Sequence, residues 1–142
     1  MNNYITSTIF RKILAALSGL FLTLFLLGHL AGNLQLFISG IEGQTQFNKY
    51  ALFMTTNPVV KILSIITYLT ILLHVITTLY LSFKSRQARP IEYAVSSGSA
   101  NSTWSSNNMA ILGSFLLLFI IVHMRSFWYE MHFGDMPYQY LD

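Results

Sequence analysis

Four histidines are the side chains of this sequence best suited to chemistry: His29, His74, His123 and His132. Cysteine is absent, so the chain holds no disulfide, thiolate metal site or iron–sulfur cluster of its own. His29, His74 and His123 each fall inside a long apolar run, and His132 lies beyond the third. An ionisable side chain at membrane depth is costly, which makes each of the three a functional candidate. The competing reading of each is a neutral imidazole bonded to a neighbouring helix. Three of them, one per run with no carboxylate beside them, favour a shared purpose.

The elements that must position these histidines follow from composition. Charged residues are 9% of the 142 and hydrophobic residues 54%. An average soluble domain carries about 25% charge. So few charges cannot cover a soluble surface, which argues against a soluble enzyme, a disordered chain or a nucleic-acid binder. The net charge of +3 reads as a topology signal, because the basic residues sit mostly at the ends of apolar runs.

The apolar runs are residues 13–41 (core 13–37), 62–83 and 109–124, the last continuing through Arg125 to Tyr129. Each reaches the ~20 residues of a spanning helix, and helix is the state that satisfies a backbone in hydrocarbon. The fold class expected is an all-α membrane protein. It has a single transmembrane domain over residues 1–142, with helices at 9–38, 58–84 and 107–131. A signal peptide is the alternative for the first run, but the run is longer than a 7–15-residue signal core. Asn57-Pro58 reads as N-cap and first residue of the second long helix. Arg89-Pro90 marks a break after it. Residues 85–108 read as a polar, serine-rich loop, in which the Asn101-Ser102-Thr103 sequon carries little weight. Residues 44–54 mix Phe47, Tyr50, Leu52 and Phe53 with Lys49, which suggests a short interfacial helix.

Arg11, Lys12, Lys84, Arg86 and Arg89 fall on one side of these spans. Lys49, Lys61, Arg125 and most of the acids fall on the other. The positive-inside rule then places the N-terminus and the 84–108 loop in the cytoplasm. His29 lies 17 residues beyond Lys12, a rise of roughly 25 Å. His123 lies 15 residues beyond Asn108, roughly 22 Å, and His74 lies 10 residues before Lys84, roughly 15 Å. His29 and His123 therefore share a level, and His74 sits nearer the inside. Two imidazoles at one depth on facing helices suit an axial bis-histidine haem site. Such a haem has no open position, so it carries electrons and does not activate oxygen.

The surroundings fit that reading without requiring it. Leu22, Phe25, Leu26, Gly32, Asn33 and Leu36 surround His29, and Gly28 with Gly32 leaves room for a flat macrocycle or for a close helix. Thr67, Thr70, Thr77, Thr78 and Ser82 stripe the His74 helix. They can orient the imidazole or bond their own carbonyls. Leu116, Phe119, Ser126 and Phe127 surround His123.

Several strings resemble the cytochrome b subunit of succinate dehydrogenase and fumarate reductase, in its two-haem, single-anchor form. They are Leu27-Gly28-His29-Leu30-Ala31-Gly32-Asn33-Leu34-Gln35-Leu36-Phe37, then Phe47-Asn48-Lys49-Tyr50-Ala51 and Phe53-Met54-Thr55-Thr56-Asn57-Pro58. Ala88-Arg89-Pro90, Asn101-Ser102-Thr103-Trp104 and His123-Met124-Arg125-Ser126-Phe127-Trp128-Tyr129 follow in order, so the resemblance covers essentially the whole chain. It implies that His29 and His123 are axial ligands of a distal haem b, and His74 one ligand of a proximal haem b. It implies a multi-pass anchor in the bacterial cytoplasmic membrane, with a flavoprotein and an iron–sulfur subunit on its cytoplasmic face. Electrons would pass between the iron–sulfur clusters, the haems and a quinone, with menaquinone expected. The chemistry on succinate or fumarate would belong to the flavoprotein.

One departure stands out. The family has five membrane helices and a fourth histidine on a helix after the third, whereas this sequence stops at Asp142. A fragment or a split subunit is expected, and His74 lacks its partner. His132 lies on the outer side and reads as a surface residue. Glu42 and Glu130 are candidates by location for an outer quinone site, and Arg125 for a haem propionate or the headgroups. The alternatives are a haem b anchor of another quinone-linked oxidoreductase, or a non-redox helical bundle.

Overall fold

The computed structural model describes residues 7–88, 100 and 102–134, and every regular element among them is helical. The Arg89-Pro90 break, the centre of the serine-rich loop, Asn101 of the sequon and the tail from Asp135 lie outside them. Three segments are long and apolar enough to cross a membrane: Thr8–Phe37, Pro58–Gln87 and Met109–Phe133, of 30, 30 and 25 residues. At 1.5 Å per residue the longer two reach about 45 Å, past a hydrocarbon core of about 30 Å. The chain is thus a multi-spanning helical membrane protein in architecture. It divides at Ser85 into two compact units.

The first unit holds α1 (Thr8–Asn33), α2 (Gly40–Thr56) and nearly all of α3 (Pro58–Gln87). Ser7 caps α1, its side chain accepting from the Phe10 amide at 3.1 Å. A 3-10 turn, Leu34–Phe37, extends α1. Gly40, at φ 82°, then turns the chain into α2, in a region that other residues rarely adopt. Gly43 is buried against the Ile38 carbonyl, where a side chain would overlap backbone. Gly32 on α1 lies directly against the Tyr50 hydroxyl, and Gln46 Nε2 donates to Gln35 Oε1 at 3.2 Å. These contacts fold α2 back on the end of α1.

Asn57 ends one helix and starts the next. Its amide donates to the Phe53 carbonyl (3.0 Å), while its Oδ1 accepts from the amides of Val59 (2.9 Å) and Val60 (3.3 Å). Its extended backbone is what the following Pro58 requires. The N-cap and proline pair read from the sequence is therefore present. The helix it opens runs to Gln87, beyond the start of the polar loop expected from residue 85.

Helices α1 and α3 pair antiparallel, and three contacts fix their register. Lys84 Nζ donates to Thr8 Oγ1 at 2.8 Å, the Arg11 guanidinium lies 4.2 Å from the Tyr80 ring centroid, and Ser18 Oγ lies 2.9 Å from His74 Nδ1. Ten residues separate Thr8 from Ser18, and ten separate Lys84 from His74. The buried side chains are small and polar: Ser18 (6% exposed), Thr67 (2%) and Thr77 (8%). No large hydrophobic residue is buried among the described residues, and leucines, isoleucines and phenylalanines face outward along both helices. That inversion of a soluble core suits helices that pack through small residues within lipid.

The second unit begins with the short α4 (Trp104–Asn107), inside the stretch expected as loop. Thr103 caps it, accepting from the Ser106 amide at 3.2 Å. The Asn108 side chain donates to the Trp104 carbonyl (2.9 Å), and α5 (Met109–His123) follows. The helix then widens to a π-helical stretch, Met124–Tyr129, and closes in α6 (Glu130–Phe133).

With no native cysteine, the register is open to cross-linking. A short bismaleimide is expected to join α1 to α3 in a Thr8→Cys/Lys84→Cys protein. It should fail in Thr8→Cys/Leu73→Cys, where the partner is displaced by about 16 Å along α3. Equal yields from the two pairs would refute the register.

Candidate functional site

His74 is the best supported of the histidines. It sits half-buried at the middle of the α1–α3 contact. Its Nδ1 lies 2.9 Å from Ser18 Oγ, and Ser18 Oγ also donates to the Ala15 carbonyl at 3.1 Å. The next residue, Gly19, packs close to the ring, and an added Cβ would come within 3.1 Å of His74 Cε1 and 3.6 Å of Nδ1. A serine and a glycine in sequence therefore make the seat for one imidazole.

The hydroxyl stripe of α3 serves another purpose. Thr78 Oγ1 donates to the His74 carbonyl (2.7 Å), Thr67 Oγ1 to Leu63 (2.9 Å) and Ser64 Oγ to Val60 (2.9 Å). These hydroxyls satisfy carbonyls of their own helix, so they can be buried without a partner across the interface. The hydroxyl that reaches the imidazole comes from α1. Sequence reasoning missed Ser18 because it searched the helix that carries the histidine. Its signal was Ser18-Gly19, a small polar pair inside an apolar run.

His29 lies on α1, exposed along the hairpin, with its ring stacked on Phe25 (centroids 5.5 Å, interplanar angle 22°). Asn33 Nδ2 donates to the His29 carbonyl at 2.8 Å. The two glycines expected to make room here divide in role. Beside Gly28 an added Cβ would meet nothing within 4 Å, whereas Gly32 is filled by Tyr50. The hairpin register also revises the depth scale. Lys84 stands level with Thr8, one turn before Lys12, so Lys12 and Lys84 do not mark one plane. His29 then lies about 16 Å beyond His74 along the pair, against roughly 10 Å from the charge markers. Long lysine side chains reach a surface from different depths, which makes them coarse markers.

His123, in the second unit, ends α5. Its ring stacks on Phe119 (5.5 Å, 23°) and contacts Phe127 (4.9 Å, 43°). A phenylalanine four residues before the histidine thus recurs at His29 and His123. The π-helical stretch follows His123 directly, and within it Arg125 pairs with Glu130, five residues on, and lies 4.4 Å from the Tyr129 ring centroid. That spacing matches the i to i+5 repeat of a π-helix. His132 is exposed, stacks on Trp128 (4.5 Å) and donates from Nδ1 to the Trp128 carbonyl (2.8 Å). Glu42 stands in the first turn of α2.

Among the described residues no three His, Asp or Glu side chains converge as a metal site. His29 and His74 are at separate levels of one hairpin, and His123 belongs to the other unit. No known protein family, curated protein or solved structure matches this chain.

The two glycines make a contrast. Gly19→Leu is expected to destabilise the hairpin by about 1–3 kcal/mol through overpacking against His74. Gly28→Leu should leave its stability unchanged. Unfolding by dodecyl sulfate in mixed micelles measures both, and equal losses would contradict the packing described.

Proposed function

We propose that this multi-spanning helical membrane protein is a haem b anchor. It would pass electrons between the iron–sulfur subunit of a succinate dehydrogenase or fumarate reductase and a membrane quinone, with menaquinone expected. The observation that carries the reading is His74: an imidazole inside a membrane hairpin, with one ring nitrogen bonded and a glycine backbone against its edge. A structural histidine needs a partner, but an axial ligand also needs its second nitrogen oriented by a neighbour, and His74 has that neighbour. The open space beside Gly28 and the Phe25 stack support His29 as a ligand in the same way. His123 has the matching phenylalanine, and the family resemblance of the strings quoted above implies that it shares a distal haem with His29.

Bound haem iron cycles between ferric and ferrous states and so supplies one-electron transfer. The chain's own residues would hold and orient it. His29 and His123 would bind one group and His74 the other, with Ser18 and Gly19 fixing the His74 ring. The basic residues Arg11, Lys12, Lys84 and Arg86 would lie on the cytoplasmic side, where the flavoprotein and iron–sulfur subunits dock. The membrane would be a bacterial cytoplasmic membrane.

The Ser18–His74 bond also favours a second reading, a non-redox bundle in which the pair is simply an interhelical link. A reduced-minus-oxidised spectrum of the purified protein, reconstituted with haemin, separates the two. The expected result is a b-type spectrum that His29→Ala and His123→Ala diminish together, with Gly28→Leu doing the same. His74→Ala should leave that distal signal in place. A colourless wild-type protein would sink the haem reading. Co-purification of a molybdenum or nickel enzyme in place of a covalent-flavin protein would move the anchor to another quinone-linked complex.

A further inference from the structure

Ser18 has one hydroxyl hydrogen and two polar neighbours. Its Oγ lies 3.1 Å from the Ala15 carbonyl and 2.9 Å from His74 Nδ1. A carbonyl only accepts, so satisfying both contacts fixes the hydrogens. Ser18 donates to Ala15, and His74 Nδ1–H donates to Ser18. The neutral ring then carries its proton on Nδ1 and its lone pair on Nε2. Turning the ring over would replace Nδ1 by a carbon and break the bond. Ser18 is 6% exposed, so it is largely shielded from competing solvent. Thr78, one turn on along the same helix, donates to the His74 and Val75 carbonyls (2.7 and 3.1 Å), so its hydrogen is engaged by the backbone.

We propose that Ser18 is the positioning residue for His74: through the Nδ1 bond it sets the tautomer that presents Nε2 as an iron ligand. The proposal rests on the haem reading, since only a metal on Nε2 makes the tautomer matter for function. A hydrogen bond from Nδ1–H makes Nε2 more basic. A more basic ligand stabilises ferric over ferrous iron, so Ser18 would hold the potential of a haem bound there down. Outer partners of this kind change metal affinity about 10–100-fold when removed.

Two measurements keep the proposal and the haem reading apart. The first needs no haem: nitrogen-15 spectra of the histidine-labelled 142-residue chain in micelles, with His74 assigned by His74→Gln. Wild-type His74 should show Nδ1 protonated and Nε2 bare, and Ser18→Ala should give a mixture of tautomers. Ser18→Thr, which keeps the hydroxyl, should restore the wild-type pattern, and Thr78→Val should not alter it. The second uses the haem-loaded protein. Ser18→Ala should weaken haem at the His74 site at least ten-fold, a lower bound set by such outer partners, and raise its midpoint potential. An unchanged tautomer in Ser18→Ala overturns the proposal whether or not haem binds. The expected tautomer in a chain that takes up no haem overturns the ligand role and locates the failure in the haem reading.

Discussion

The scarcity of water inside the bilayer is the constraint on which this structure depends. A soluble protein buries its leucines; here the described leucines and isoleucines face outward, and serine, threonine and glycine occupy the contact between α1 and α3. Lipid tails are as apolar as leucine, so hydrophobic burial gives the two helices no reason to associate. What remains is close packing and hydrogen bonding. Gly19 supplies the first and Ser18 with His74 the second, on adjacent residues of one turn. The cationic end of the hairpin repeats the logic in a wetter place, where Arg11 and Lys84 share the Tyr80 ring. A ring with one polar end suits the membrane interface, and a guanidinium on its face stays accessible to water.

That constraint gives the imidazole of His74 a double character. It is an interhelical link, because its Nδ1 reaches the other helix. It is also a ligand candidate, because the link leaves the other nitrogen uncommitted by the same contact. The two roles are compatible, and a redox subunit would gain from combining them: the group that holds the helices together would also hold a cofactor in a fixed place. His29 differs. On its own helix Phe25 before it stacks on its ring and Asn33 after it bonds its carbonyl, and the position beside Gly28 is open.

The architecture was legible in the sequence because it follows from period-free apolar length. Apolar runs of about 20 residues have one solution in lipid, and the three spans are where such runs occur. Asn57-Pro58 was legible because both residues act locally, one through its side-chain oxygen and one through its ring. Cross-helix relations were not. Ser18 and His74 are 56 residues apart, and nothing in either run names the other. The level of Lys84 could not be read from charge alone, since a lysine head reaches the interface from several backbone positions. Gly28 and Gly32 look alike in sequence, and only the return of α2, which sets Tyr50 on one of them, tells them apart. The π-helical stretch left no sign either, because its residues are ordinary helix formers.

That stretch has a rotational meaning. A turn that closes five residues back carries one residue more than an α-turn needs, so it acts as an insertion absorbed without breaking the helix. The helical residues that follow it, Glu130–Phe133, are rotated by about 100° relative to an uninterrupted α-helix, since each residue advances a helix by that angle. An uninterrupted α-helix would set His132, nine residues on, about 180° from His123, and the extra residue reduces that to about 80°. The third span thus turns the aromatic stack at its end, Trp128 with His132, round toward the side that carries His123.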